Sequence, residues 1–144
     1  MPAPTDDDTI RNLVQSAEAR LERAETYVSK TRPELTCEDA QQTAELALKA
    51  LIKANGGVYK RTHEIEHLLE ALEDLGETVL PAVEAARELT DYGGAERYEF
   101  ITGAAEAPAI ESIADAVRAA RETLTWCRSR IRALKPGLSL DTRR

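Results

Sequence analysis

Between Ala40 and Ala54 the apolar residues take up most of the circumference of a helix and leave only Glu45, Lys49 and Lys53 as a polar strip. An ordinary amphipathic helix needs one neighbour, but a helix that is apolar nearly all round must be surrounded if its surface is to be kept from water. The rest of the chain supplies the surroundings. Ile10, Leu13, Val14, Ala17, Leu21, Ala24 and Val28 recur at three- and four-residue steps, the pattern of an amphipathic helix that closes near Pro33. Thr36, followed three residues later by Asp39, reads as a capping box for the central helix, and Asn55-Gly56-Gly57 ends it. Ile65, Leu68, Leu69, Leu72 and Leu75 predict a third, shorter helix stopped by Gly76, and Pro81 opens a fourth through Val83, Ala86 and Leu89. A last helix from Pro108 carries an unbroken stripe from Ile110 through Val117 and Leu124 to Leu134.

No segment alternates with the period of a strand, and aromatic residues are 4% of the chain while Ala, Glu, Leu and Arg abound. The expected fold is all-α: a compact four- to five-helix up-and-down bundle over residues 10–135, between a flexible acidic tail (1–9) and a flexible C-terminal tail (136–144). At 144 residues one domain suffices. No run approaches the roughly 18 apolar residues of a membrane span, and MPAPTDDD is acidic where a secretory signal is basic and then apolar, so a cytoplasmic protein is expected. Cys37 and Cys127 are too few for a disulfide framework or a four-ligand zinc site and read as reduced thiols. A net charge of −7 argues against general nucleic-acid binding. From Trp126 to Arg144, however, six basic residues face Asp141 alone, which suits either an anionic partner or the negative end of the helix dipole. The last stripe is longer than the two short helices can cover, so part of it is expected to serve a second copy in a homodimer.

Asp39-Ala40-Gln41-Gln42-Thr43-Ala44-Glu45-Leu46-Ala47-Leu48-Lys49-Ala50-Leu51-Ile52, then Arg61-Thr62-His63-Glu64-Ile65, then Glu88-Leu89-Thr90-Asp91-Tyr92 leading to Arg97-Tyr98, occur in that order. Together they resemble the HEPN domains (higher eukaryote and prokaryote nucleotide-binding), over about Ile10 to Leu134. The first looks like that family's two glutamines followed by A-E-x-A-L-K-A-L, the second like its R-T-H-[DE]-L, the last like its R-Y. The resemblance implies a homodimeric bundle and a minimal nucleotidyltransferase as partner, and for many members a toxin–antitoxin or antiphage role. Some members are metal-independent RNases with an arginine and a histidine four to six residues apart near the start of the last helix, the arginine holding phosphate and the histidine moving a proton. Here the positions after Arg97 that match the histidine are Thr102, Gly103 and Ala104, no histidine follows His67, and that pair is missing. Arg61 and His67 have the spacing, but at the third helix.

The expected function is therefore a HEPN-type binding and interaction module that holds nucleotide or RNA through Arg61, His63, Arg97, Tyr98, Arg118 and Arg121 and requires no cofactor. The alternative is a metal-independent RNase toxin with a composite site at the dimer cleft drawn from Arg97, His67 and Arg61. His63-Glu64-Ile65-Glu66-His67 also reads H-E-x-x-H, the zinc motif of hydrolases, though a zincin carries it inside a long helix under a sheet. The blander reading has His63 capping its helix and His67 pointing to solvent. Arg118, Arg121, Arg128 and Arg132 flank the last stripe, either lining a groove between subunits or forming ion pairs with acids such as Glu111 and Glu122. Trp126 anchors either the core or an interface.

Overall fold

The structure, a computed structural model, describes residues 5–27, 33–59, 61–62, 64–93 and 113–141. Its elements are helices α1 (Asp6–Tyr27), α2 (Pro33–Ala54), α3 (Ile65–Asp74) and α4 (Pro81–Glu84), a 3₁₀ helix (Ala85–Gly93) and helix α5 (Ile113–Leu134), with no strand among the described residues. The start of the last helix expected at Pro108 lies outside them.

Helix α2 is the centre of an all-α bundle. It packs most extensively on α1 and α5, and also on α3 and the 3₁₀ helix. From Thr36 to Ile52 only Glu38 is exposed. Ala40, Ala44, Ala47, Leu48, Leu51 and Ile52 are fully buried, joined by Ile10, Val14 and Ala17 of α1, Leu69 and Leu72 of α3, and Ala120, Cys127 and Ile131 of α5. Trp126 belongs to this core. The α5 stripe is consumed inside the chain: Val117, Ala120, Leu124, Cys127 and Ile131 are all buried, and among its described positions only Leu134 is exposed. The surplus expected for a second copy is absent from this stretch because α2, apolar on several faces, covers α5 itself.

Local chemistry sets the helix ends. Thr5 Oγ1 accepts the Asp8 N–H at 3.0 Å and Asp8 Oδ2 accepts the Thr5 N–H at 3.3 Å, a capping box that starts α1. The Thr5 backbone N–H first, and its hydroxyl second, hold the Asp8 carboxyl below its ordinary range. The box expected at Thr36 and Asp39 is not a cap, because α2 begins three residues earlier at Pro33. Asp39 is instead a buried carboxylate, 3.1 Å from Arg20 Nη1 and 3.3 Å from Arg23 Nε of α1. Helices α2 and α3 end alike. Gly56 (φ +77°) donates to Lys53 O and Gly57 to Ile52 O, while Gly76 (φ +97°) donates to Glu73 O and Glu77 to Leu72 O. Both are Schellman motifs, whose left-handed residue favours glycine. A Cβ on Gly57 would stand 2.8 Å from Leu75 Cδ1, so a larger residue here would have to push the Leu75 side chain aside.

The expected fourth α-helix lasts one turn and tightens into a 3₁₀ helix. Val83, Ala86 and Leu89 are all buried and are spaced by three throughout. That spacing forms a straight row at 3.0 residues per turn but drifts round an α-helix. Arg87 ties this segment to α3, bonding Glu84 at 2.6 Å and lying 3.8 Å from Glu66 and 3.7 Å from Glu73.

Packed structure extends into both expected tails. Helix α1 begins at Asp6, and after α5 the chain turns back so that Leu138 and Leu140 are buried and the Ser139 carbonyl accepts Arg11 Nε at 2.9 Å. Lys135 reaches Asp7 at 2.9 Å, and Arg128 bridges Glu18 and Asp141. Arg128 thus forms an internal tie.

Glu77, placed by the second Schellman turn, is buried and accepts Arg130 Nε of α5 at 2.7 Å and Asn55 Nδ2 at 3.0 Å. Three elements meet on one carboxylate. Burial pushes its pKa up, but the hydrogen bonds from Arg130 and Asn55 and the Arg130 charge outweigh burial and hold it below the usual glutamate range. A group with a depressed folded pKa contributes stability above its unfolded pKa and loses it as pH falls through the folded value. Stability should therefore fall on acidification below the ordinary glutamate range, and Glu77→Gln should flatten that limb in urea titrations at several pH values. At neutral pH Arg130→Ala should cost about 2–3 kcal/mol by stranding the buried charge. Leu140→Ala should cost roughly 2–3 kcal/mol in the same assay, whereas a change under about 0.5 kcal/mol would make residues 138–141 a loose tail.

Candidate functional site

The polar strip of α2 is turned inward. Glu45 is buried, accepts Gln41 Nε2 at 3.1 Å and Lys49 Nζ at 2.8 Å, and so satisfies both carboxylate oxygens on its own helix. The Lys49 ammonium lies 5.4 Å from the centroid of the Tyr59 ring, a cation–π contact that reaches from α2 to the loop after it. Lys53, at the end of the strip, meets Asp6 at 3.3 Å. Of the strip, Lys49 is the residue that touches the loop leading to Arg61 and Thr62, through Tyr59.

That loop and α3 enclose a groove of about 460 Å³. Tyr59, Thr62 and His67 line it with Leu68, Glu70 and Asp74. Thr62 Oγ1 accepts the Glu64 N–H at 3.0 Å, turning the chain into α3, whose N-cap Glu64 makes no side-chain cap bond. Helix α3 begins at Ile65, so His67 sits in its first turn, exposed, with Nδ1 2.8 Å from Glu64 Oε2. Arg61 is exposed on the loop but does not line the groove.

A second depression, of about 300 Å³, lies between α1 and α5 and is lined by Glu25, Ala114, Val117, Arg118 and Arg121. Arg118 bonds Asp115 at 2.9 Å and Arg121 bonds Glu25 of α1 at 2.7 Å. Their acids among the described residues are thus Asp115 and Glu25 rather than Glu122, and Glu111 lies outside those residues.

The candidate residues divide accordingly. His67 belongs to the α3 groove and Arg118 and Arg121 to the α1–α5 depression, and no described contact joins the two. His63, Arg97, Tyr98 and Phe100 lie outside the described residues, and with them one arm of the composite RNase site and one ligand of the H-E-x-x-H pattern. No group of three His, Cys, Asp or Glu able to hold a metal occurs among the described residues. Both thiols are buried, and burial first, then the Glu77 charge, pushes Cys127 well above the ordinary thiol range, which removes it as a nucleophile. The structure adds Tyr59, Glu70 and Asp74, which no sequence motif singles out. Their one sequence signal is that α3 carries acids at Glu66, Glu70, Glu73 and Asp74 with no lysine or arginine among them.

If Lys49 holds the loop, Lys49→Met should destabilise the protein by about 1–3 kcal/mol, because Glu45 keeps its charge without its cation. The same change should speed tryptic cleavage after Arg61, and adding Glu45→Gln should recover part of the stability but not the protection of the loop. Unchanged cleavage kinetics would show that Tyr59 is held by other contacts.

The family model of the HEPN domain matches residues 10–130. Among solved structures the chain is similar to the crystal structure of ST0689, an archaeal HEPN homologue, with a TM-score of 0.60 and 28% identity over 85% of this chain and 97% of that one. Comparison with curated proteins gave no match. No described helix is long and apolar enough to cross a membrane. With its central helix, its loop into α3 and the greater part of its length matched by one family, this chain belongs to the HEPN domains.

Proposed function

We propose that this chain is a HEPN-type binding and interaction module, a homodimer that acts with a minimal nucleotidyltransferase in a toxin–antitoxin or defence system and holds a nucleotide or RNA. The observation that carries the reading is the pair Arg118 and Arg121 at the α1–α5 depression. They lie one turn apart, both exposed, over a floor that includes the buried Val117. Each guanidinium has one bond to an acid in the chain. Five N–H donors per arginine leave several for phosphate oxygens. A space of about 300 Å³ is at the lower end of small-ligand sites and admits a phosphate with part of its sugar.

The test is calorimetric titration of the purified chain with ATP and, separately, with single-stranded RNA, repeated with Arg118→Ala/Arg121→Ala. One of the two ligands should bind, about tenfold more weakly to the double variant, with the difference shrinking as salt rises. Absence of binding to both, or an affinity the double variant leaves untouched, would overturn the assignment of this depression. Light scattering reads the dimer, and co-purification with a co-expressed minimal nucleotidyltransferase reads the partner. A monomeric, partnerless protein would leave only an anion-binding bundle.

A further inference from the structure

The α3 groove is chemically the opposite of the α5 depression. Helix α3 carries Glu66, Glu70, Glu73 and Asp74, with Glu64 as its N-cap and no lysine or arginine. Arg87 takes Glu66 and Glu73, and His67 takes Glu64. Glu70 and Asp74, one turn apart on the groove wall, have no hydrogen-bond or ion-pair partner among the described residues. Beside them, with Tyr59, Thr62 and His67, the groove carries apolar surface. Leu68 and Ala71 belong to its lining, and Val58 on the facing loop is 89% exposed, the most exposed large apolar side chain described. Leu75, 39% exposed, extends this surface past Gly57 toward the end of α3. The loop side of the groove is held in place by Tyr59 on Lys49.

An exposed valine and two unpaired carboxylates across about 460 Å³ suit neither a phosphate nor a nucleic acid, both of which the acids repel. We propose that this groove docks a segment of a partner protein in which lysine or arginine alternates with an aliphatic residue, the cations reaching Glu70 and Asp74 and the aliphatic side chain covering Val58 and Ala71. Charge complementarity selects this occupant. The surface lies on different elements from the arginine depression, and its occupation does not depend on the dimer or on nucleotide binding.

The probe is a fluorescein-labelled short peptide of alternating lysine and leucine, with all-lysine and alternating glutamate–leucine peptides as controls, titrated by anisotropy into the full chain without nucleotide. The lysine–leucine peptide should bind at least about tenfold more tightly than either control. Glu70→Lys/Asp74→Lys and Val58→Asp should each weaken it about tenfold, while Glu22→Lys/Glu122→Lys, the same charge change on exposed positions of α1 and α5, should alter it less than about twofold. All the substituted side chains are exposed, and circular dichroism checks that each variant keeps its fold. Equal binding of the all-lysine peptide, or equal losses in both double variants, would reduce the effect to net charge and overturn the proposal. A change of molecular mass by light scattering on Val58→Asp would assign the groove to a second copy and overturn it as well. Because nucleotides are absent, failure here leaves the Arg118 and Arg121 assignment standing, and the reverse also holds.

Discussion

Helix α2 has almost no face that water can reach, and the positions of the other elements follow from covering it. From Thr36 to Ile52 a single residue is exposed, and the surrounding helices share its burial. Much of that surface is alanine: Ala40, Ala44, Ala47 and Ala50 are fully buried, as are Ala17 and Ala24 of α1 and Ala116 and Ala120 of α5. Short side chains let helix axes approach closely, so the bundle gains dispersion contacts along its length where larger residues would hold the helices apart. Leu48, Leu51 and Ile52 then fill the remaining space, each contributing about 1.5–3 kcal/mol by leaving water.

Such a core would tolerate sliding, since one alanine resembles the next, and two buried carboxylates oppose that. Asp39 meets Arg20 and Arg23 of α1, and Glu77 meets Arg130 of α5. Burying a charge costs about as much as its pairing returns, so these bonds add little to stability in the aligned state. Misalignment is costly, because a shift of α1 or α5 by one turn would leave a buried acid without its cation. Charge pairing therefore fixes the register of helices whose apolar surfaces are too uniform to fix it.

The same framework exposes two grooves with different charged linings. A net charge of −7 describes neither the arginine pair on α5 nor the carboxylate pair on α3, which belong to different elements and to grooves with no shared residue. On the two assignments proposed above, a small bundle with a rigid centre carries an anion at one place and a basic segment at another. The loop between α2 and α3 connects fold to surface most directly, since the buried Glu45–Lys49 pair ends on Tyr59 in the groove.

The helices and their stops are legible in the sequence because they depend on neighbours a few residues away: the three-and-four spacing of Ile10 to Ala24, the glycines at 56 and 76, and the near-continuous apolar surface after Ala40. Where the structure departs from the local pattern, two local readings compete. Thr36 and Asp39 have the spacing of a cap, but Pro33 starts the helix first, and the strict three-residue step of Val83, Ala86 and Leu89 marks a 3₁₀ helix in residues that would also suit an α-helix. What the sequence by itself determined was the all-α class, the central helix and the family motifs, all carried by short-range periodicity and residue type. Tertiary structure alone decided that α5 spends its stripe inside the chain, that Leu138 and Leu140 return to the core, that Glu77 joins Asn55 to Arg130, and that His67 and Arg118 stand in separate grooves. Each of these joins residues far apart in the chain or depends on which of several apolar surfaces α2 covers, and no local pattern encodes such a choice.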